Sequence, residues 1–475
     1  MSLLRACSLA ALLFALPALT LAAPGANTPA DYGAVGDGKA DDTKAIQAAV
    51  DAGKGGLWFP KGVYRLTQPI VIDLDRVGFT ALSSDGTARI VMAGAGPAFK
   101  FVGTHKGTAE PKSFQPEVWE RQRTPMVDGL EIVGAHAEAD GIEASGTMQL
   151  TITRVTVREA RHGIHLTVRN RNIIIGDCHL YHNSGIGIYY DQVDLHQSNV
   201  IGSHISYNAG GGIVSRGGQV RNLQVGTCDI ESNMTPDGPP GANVLLDCAG
   251  GSIAEVAIVG CTLQHNNQSP GSANVRFLGR GTPASGIEAP EWGHLTIADN
   301  VLTDVAVNVE LKQARGVVIH GNTFGPGHEH DLLVEECSNI VIGANTFDRN
   351  PPYFTGKLAK AQGGLVFRKS RDCTLTGLHV NGVRGKDAAV LLEGCDAFNI
   401  ADCTIFDSDG AGLVLRDVTR TRVGGCVIRG REEGKPGPAL RAGGGKGNWI
   451  TQNLLENGWE VSPGTARVEG NYDGK

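Results

Sequence analysis

Aromatic residues make up only 5% of this 475-residue chain and charged residues only 19%. So few rings disfavour a sugar-binding surface built on stacked aromatics and leave recognition to charge. Basic residues are also short: 42 Lys and Arg stand against 49 Asp and Glu, for a net charge of −7. A phosphate-binding surface for nucleic acid normally shows a basic excess, so no nucleic-acid partner is expected and any anionic ligand needs a local basic cluster. Beyond the first 23 residues no apolar run approaches the roughly 20 residues that a membrane helix requires. No Cys/His spacing suggests zinc, and no low-complexity or charge-block segment reads as a tail.

What is present begins with a leader. Arg5, the apolar run Leu9 to Leu16 and the small residues Thr20, Ala22 and Ala23 have the layout of a cleaved signal peptide over residues 1–23. The mature chain, 24–475, is expected to be soluble and exported, either secreted or periplasmic.

Glycine is abundant, at 66 residues, which means many turns. One pattern recurs: apolar, two residues, a small or polar residue, one residue, apolar. It reads Ile175…Cys178…Leu180, Val200…Ser203…Ile205, Val225…Cys228…Ile230 and Ile258…Cys261…Leu263, and it continues to Ile450…Asn453…Leu455. Between copies sits a second short strand, as in Gly163-Ile-His-Leu, Gly187-Ile-Tyr-Tyr and Gly212-Ile-Val-Ser. Two or three short strands per repeat, separated by turns and without helical periodicity, make one coil of a solenoid. The fold expected is all-β: a single-domain right-handed parallel β-helix with repeated coils over about 127–455. Five mature cysteines, Cys178, Cys228, Cys261, Cys403 and Cys426, share the small-polar slot with Ser203, Asn300, Asn322, Asn345 and Asn453. A buried inward ladder accounts for that spacing more simply than disulfides do.

The mature N-terminus reads as a turn, a helix and a strand. Asp42 or Thr43 can cap the helix, and Ile46, Ala49 and Val50 give it one apolar face. Such a helix, within residues 24–65, would close the open end of the solenoid. The elements DYGAVGDGKADDTKAIQAAVD (31–51) and GGLWFPKGVYR (55–65) resemble the opening of the pectate-lyase-like β-helix superfamily. That superfamily includes polysaccharide lyases, polygalacturonase-like hydrolases, mannuronan C5-epimerases and phage tailspikes. The Asp41–Asp42 pair at the helix start reads as structural.

Side chains alternate between faces along a strand. If Ile164, Ile188, Ile213, Val244 and Val275 point inward, the outward set is Glu143, His165, Tyr189 with Asp191, Arg216, Asp247, Arg276, Glu310 with Lys312, Glu335 and Arg368. Coils repeat at roughly 4.8 Å, similar to the advance of one sugar, so the stripe can follow a glycan. A mixed-sign stripe also serves simply to solvate an exposed strand. The segments Thr104–Met126, Arg280–His294 and Asp348–Gly363 are long enough to wall it.

Within the stripe, Asp194-Leu-His196-Gln is expected in a loop between coils, followed by Arg216 after Gly212-Ile-Val-Ser. This is similar to the mannuronan C5-epimerase pattern of a DPHD or DPHE loop preceding an arginine. Asp194, His196 and Arg216 match, whereas Leu195 and Gln197 depart from it. The chemistry gives each residue type a role. Arg216, with Arg276 or Lys312, would neutralise a uronate carboxylate and stabilise the enolate-like charge. His196, or alternatively His165, would take the C5 proton, Tyr189 or Tyr190 would return one, and Asp191 or Asp194 would orient the histidine. His165, Asp247, Arg276, Glu310 and Lys312 are expected to contact substrate. Asp247 and Glu310 can also bind Ca²⁺, although the sequence requires no cofactor and shows no ligand loop.

The function expected is lyase or epimerase action on an acidic polysaccharide. Two alternatives stand beside it: hydrolysis by paired carboxylates, whose NTD, GHG and RIK elements are missing here, and a non-catalytic glycan-binding scaffold. His179, His204 and Asp229, at one slot in consecutive coils, form either a second polar site or a solvated ladder.

Overall fold

A computed structural model describes residues 25–107, 110–280, 290–356, 358–431 and 437–474. The leader expected over 1–23 lies outside them. Each coil contributes strands to three faces, and every pairing between coils is parallel. A narrow face of 16 strands runs from Asp37–Asp41 to Leu454–Leu455. The other 29 strands form two further faces. These join where Ile164–Gly176 and Ile186–Ile201 continue from one face to the next as single strands.

The interior is built from the alternation read in the sequence. Ile142, Ile164, Ile188, Ile213, Val244, Val275, Val309 and Leu332 stack in register, one per coil, and all are buried. At the entry to most of the described narrow-face strands the chain turns through the left-handed region, at φ +53° for Asp177, +57° for Gly202 and +57° for Asp299. Glycine and short polar residues accept that conformation most readily, which accounts for the Gly or Asp in front of several of the small-polar slots, although Thr227 and Gln452 adopt it too.

That slot points inward, and its ladder is hydrogen-bonded. Cys261 N donates to Asn300 Oδ1 at 2.9 Å, Asn300 Nδ2 to Asn322 Oδ1 at 3.0 Å, and Asn322 Nδ2 to Asn345 Oδ1 at 2.9 Å. The nine cysteines from Cys178 to Cys426 are all free and buried. A second buried ladder, which the sequence reading missed, links Asn183, Asn208, Asn233, Asn243, Asn274 and Asn308. In both, each amide bonds the next one in the stack, so the ladder asparagines sit in the core with their hydrogen bonds met.

The helix Thr43–Asp51 buries Ile46, Ala49 and Val50 in the same core as Ile70, Ile72 and Leu74. The capping expectation is corrected in detail: neither Asp42 nor Thr43 supplies a side-chain cap. Asp42 accepts from the backbone N–H groups of Val35 and Gly36 at 2.7 and 3.1 Å. Asp41 instead accepts from Thr43 N, Thr43 Oγ1 and Thr67 Oγ1. Both carboxylates are thus occupied by backbone N–H and threonine hydroxyl groups around the helix start.

Candidate active site

Two outward rows run along the face that carries the Gly-Ile strands. One contains Glu143, His165, Tyr189, Val214, Leu245, Arg276 and Glu310; the other contains Thr167, Asp191, Arg216, Asp247, Leu278, Lys312 and Glu335. The predicted stripe therefore exists, but its two halves differ in what their charges do.

In the earlier coils the side chains form a compact cluster. His165 Nε2 donates to Asp191 Oδ2 at 3.1 Å, and the His165 ring stacks on Tyr189 with centroids 5.1 Å apart. His162, which the sequence reading did not select, lies 5.3 Å from both rings. Burial holds His162 neutral, with a pKa of about 4, and its Nδ1 accepts from Ile186 N. Burial and the Asp191 charge raise the Tyr189 hydroxyl, against the opposing pull of Arg216. Tyr189 is thereby kept a phenol, able to donate a proton. Asp191 and Arg216 are register partners. The Arg216 side chain is exposed, and it has no ion-pair partner within 4.0 Å among the described residues. Tyr190, the alternative proton donor, is fully buried and bonded to Ser198 at 2.8 Å, so it cannot reach a ligand.

Asp194 and His196 are placed differently from expectation. They lie in no loop: the strand Ile186–Ile201 runs through them. With Val193 and Leu195 turned inward, the alternation exposes Asp194 and His196 on the adjoining face, past a bend at Gln192, φ +44°. Asp194 pairs with Arg169 at 2.7 Å, and His196 is flanked in register by Arg171 and Arg221. Burial, then the Arg171 and Arg221 charges, lower the His196 pKa, with Glu255 opposing. Its Nδ1 is buried without a partner, which leaves Nε2 as the outward nitrogen. No hydrogen bond or ion pair among the described residues joins His196 to the His165–Asp191 cluster. Arg171 lies over the Phe114 ring and Arg221 over Trp292, so one described residue of each of the segments 104–126 and 280–294 flanks this corner.

The predicted substrate contacts farther along are engaged with protein. Arg276, 9% exposed, pairs with Glu310 at 2.5 Å and donates to the carbonyls of Gly241 and Gly271. It ties together the two turns that rise beside the groove. Asp247 is held by both arms of Arg280 at 3.0 and 2.6 Å. Lys312, Glu335, Arg368, Glu393 and Arg416 form a ladder of alternating sign. This ladder is the self-neutralising arrangement that a solvated strand face needs.

The narrow face carries His179, His204 and Asp229 in register, with His204 Nδ1 3.8 Å from Asp229. Near it is a group the sequence did not reveal. His265 Nδ1 donates to Asp304 at 2.6 Å, and His328 lies 3.3 Å from the other carboxylate oxygen. Although burial opposes it, these contacts hold the Asp304 pKa at about 2. The three come from separate coils and share no sequence motif. Thr355, from the segment 348–363, lines a pocket beside His265 and Asp304.

Family comparisons divide the chain among three descriptions. Residues 26–96 match "Rhamnogalacturonase A/epimerase, pectate lyase-like", 127–267 match "Right handed beta helix region", and 266–472 match "Periplasmic copper-binding protein (NosD)". Alginate lyase 7 of Azotobacter vinelandii is 30% identical over 199 residues. That match covers 38% of this chain and 22% of the relative's length. Among solved structures, gene product 12 of bacteriophage phi29 is similar at a TM-score of 0.55 and 14% identity, covering 93% of this chain and 56% of that one. The A-module of the mannuronan C-5 epimerase AlgE4 of Azotobacter vinelandii aligns over 93% of this chain and 100% of its own, at 16% identity and a TM-score of 0.36. No helix among the described residues is long and apolar enough to cross a membrane. Residues 26–96 are thus similar to a pectate-lyase-like opening, and residues 127–267 to a right-handed β-helix region.

Proposed function

We propose that this protein is an exported enzyme that removes the C5 proton of a uronic-acid unit in an acidic polysaccharide, as a lyase or an epimerase. One observation carries the reading. Arg216, exposed and without an ion-pair partner among the described residues, stands in register with Asp191 beside the Tyr189 hydroxyl. A guanidinium so placed is free to bind a substrate carboxylate through two parallel hydrogen bonds.

Charge neutralisation by Arg216 acidifies the adjacent C5–H bond. His196, kept neutral on the adjoining face, accepts that proton where the bound glycan rounds the bend at Gln192, while the C5–H electron pair moves into the carboxylate that Arg216 stabilises. Tyr189, positioned by its stack on His165, donates a proton. Delivery to C5 from the opposite face gives the epimer; delivery to the O4 leaving oxygen, as the C4–O bond breaks and a C4–C5 double bond forms, cuts the chain. Asp191 fixes the His165 ring, and Asp194 fixes Arg169 near the same corner. No step is assigned to calcium, because Asp247 and Glu310 are already paired with Arg280 and Arg276.

The similarity to alginate lyase 7 supports a uronate polymer as substrate. Residues 24–475 act in this reading as one body whose N-terminal helix closes the first coil. The non-catalytic alternative draws support from the ladder Glu335 to Arg416, which leaves little free charge in that part of the groove. Incubation with uronate polymers, followed by ultraviolet absorbance, reducing ends and C5 configuration, tests the proposal. New absorbance identifies a lyase, and inverted C5 without shortening an epimerase. Reducing ends without absorbance indicate a hydrolase, and no change in any polymer overturns the reading.

A further inference from the structure

Far along the same face from Arg216 lies a cleft of about 670 Å³, in the size range of small-ligand sites. Its floor is a row of aliphatic side chains in register, Val366, Leu391 and Val414. Three consecutive coils therefore present a flat apolar strip where the earlier coils present His165 and Tyr189. The ladder Arg368, Glu393 and Arg416 borders one side. Lys386 and His330 also line the cleft.

Lys386 differs from the other cations here. Arg368, Arg416 and Arg441 each have a carboxylate partner, Glu335, Glu393 and Glu460 respectively. Lys386 is half-buried, and no carboxylate lies within 4.0 Å of it among the described residues. Burial lowers its pKa, and Arg368 adds to this against the distant attraction of Glu329 and Asp331. His330 Nδ1 is buried with no hydrogen-bond partner. Burial, followed by the Lys386 and Arg368 charges, holds that ring neutral, with a pKa of about 4. An unpaired ammonium beside an apolar strip suits an anionic group carried on a ring with an apolar face.

We infer that this cleft is a second saccharide site, in which a uronate ring lies on Val366, Leu391 and Val414 with its carboxylate on Lys386. The inference rests on the acidic-polysaccharide reading above and adds a second point of attachment to it. Tyr189 and Leu391 are separated by seven register steps, or about 34 Å at the spacing of parallel strands. A chain advancing one sugar per coil spans that distance with about eight units. Long polymers then bind at both places at once, and the second contact raises affinity through effective concentration. The cleft thereby makes the protein selective for chain length without touching the reacting sugar.

Titration calorimetry with a uronate tetramer and a uronate decamer tests this on the wild-type protein and on Lys386→Gln. The tetramer is expected to bind the wild type at two sites per chain and Lys386→Gln at one. Decamer affinity is expected to fall about tenfold in the variant, the size of one charge-assisted hydrogen bond. Because Lys386 has no ion pair to lose, an unchanged melting temperature is expected to show that the variant is folded. One tetramer per chain in both proteins, with equal decamer affinity, overturns the second site and leaves the first reading intact. Equal affinity for a sulfated, carboxylate-free tetramer in the cleft overturns the uronate assignment. Binding of no uronate at all overturns both.

Discussion

Asp191 accepts a hydrogen bond from His165 at 3.1 Å across two adjacent coils, and the Tyr189 ring, two residues before Asp191, stacks on the same imidazole. The contact makes Tyr189 part of a three-residue unit whose geometry depends on the register of the sheet. Asp191→Ala is expected to lower kcat on uronate polymers about 100-fold and to change global stability by no more than about 0.5 kcal/mol. Turnover and urea midpoints of the purified variant measure the two effects separately.

The surroundings of His196 set the sign of a pH dependence. Burial and the two flanking arginines lower its pKa from the ordinary 6.5, so the neutral base persists below that pH. The acid limb of kcat/KM is expected to have its midpoint below pH 6.5. Arg171→Gln removes one repelling charge, raises the histidine pKa and moves the midpoint upward. An upward move in Arg171→Gln that is absent from His196→Ala's residual activity assigns the limb to this ring.

Arg276 holds the turns at Gly241 and Gly271 while pairing with Glu310. Removing one member of a buried pair strands the other, at a cost of about 3 kcal/mol. Arg276→Ala is expected to open the segment 234–241 locally, seen as faster limited proteolysis there, and to raise KM more than it lowers kcat.

The asparagine ladder gives a stability prediction. Asn300→Ala leaves Cys261 N and the Ile258 carbonyl without their partner, for a loss of about 2 kcal/mol. Solenoid coils interact with their neighbours and can open locally. The loss is therefore expected as faster hydrogen exchange in the coils around Cys261 and Asn322, with distant coils such as that of Leu413 unchanged.

Much of this architecture is legible in the chain because a solenoid repeats its constraints. Each coil needs an aliphatic residue inside and a small or polar residue after a left-handed turn, so Ile188, Cys178 and Asn300 announce their places by spacing. Asp191 and Arg216 could be paired for the same reason. Placement failed where the chain leaves the repeat: a polar run such as Asp194-Leu-His196 reads as a loop, yet it continues the alternation around a corner. Ion-pair partners were also illegible. Arg276 and Arg216 have the same residue type on the same face, and only the structure shows that Glu310 and two carbonyls occupy the first while the second stays open. His265, Asp304 and His328 meet from three coils whose lengths vary, so no fixed spacing marks them.

The central claim is that Arg216 neutralises a uronate carboxylate and thereby acidifies the neighbouring carbon. Incubation of wild type and Arg216→Ala with uronate polymers in heavy water, with deuterium at C5 and unsaturated product read by mass spectrometry, tests it most directly. The wild type is expected to incorporate deuterium or form unsaturated ends, and Arg216→Ala to do so at least about 100-fold more slowly while keeping its fold. Full exchange or elimination by Arg216→Ala would contradict the account.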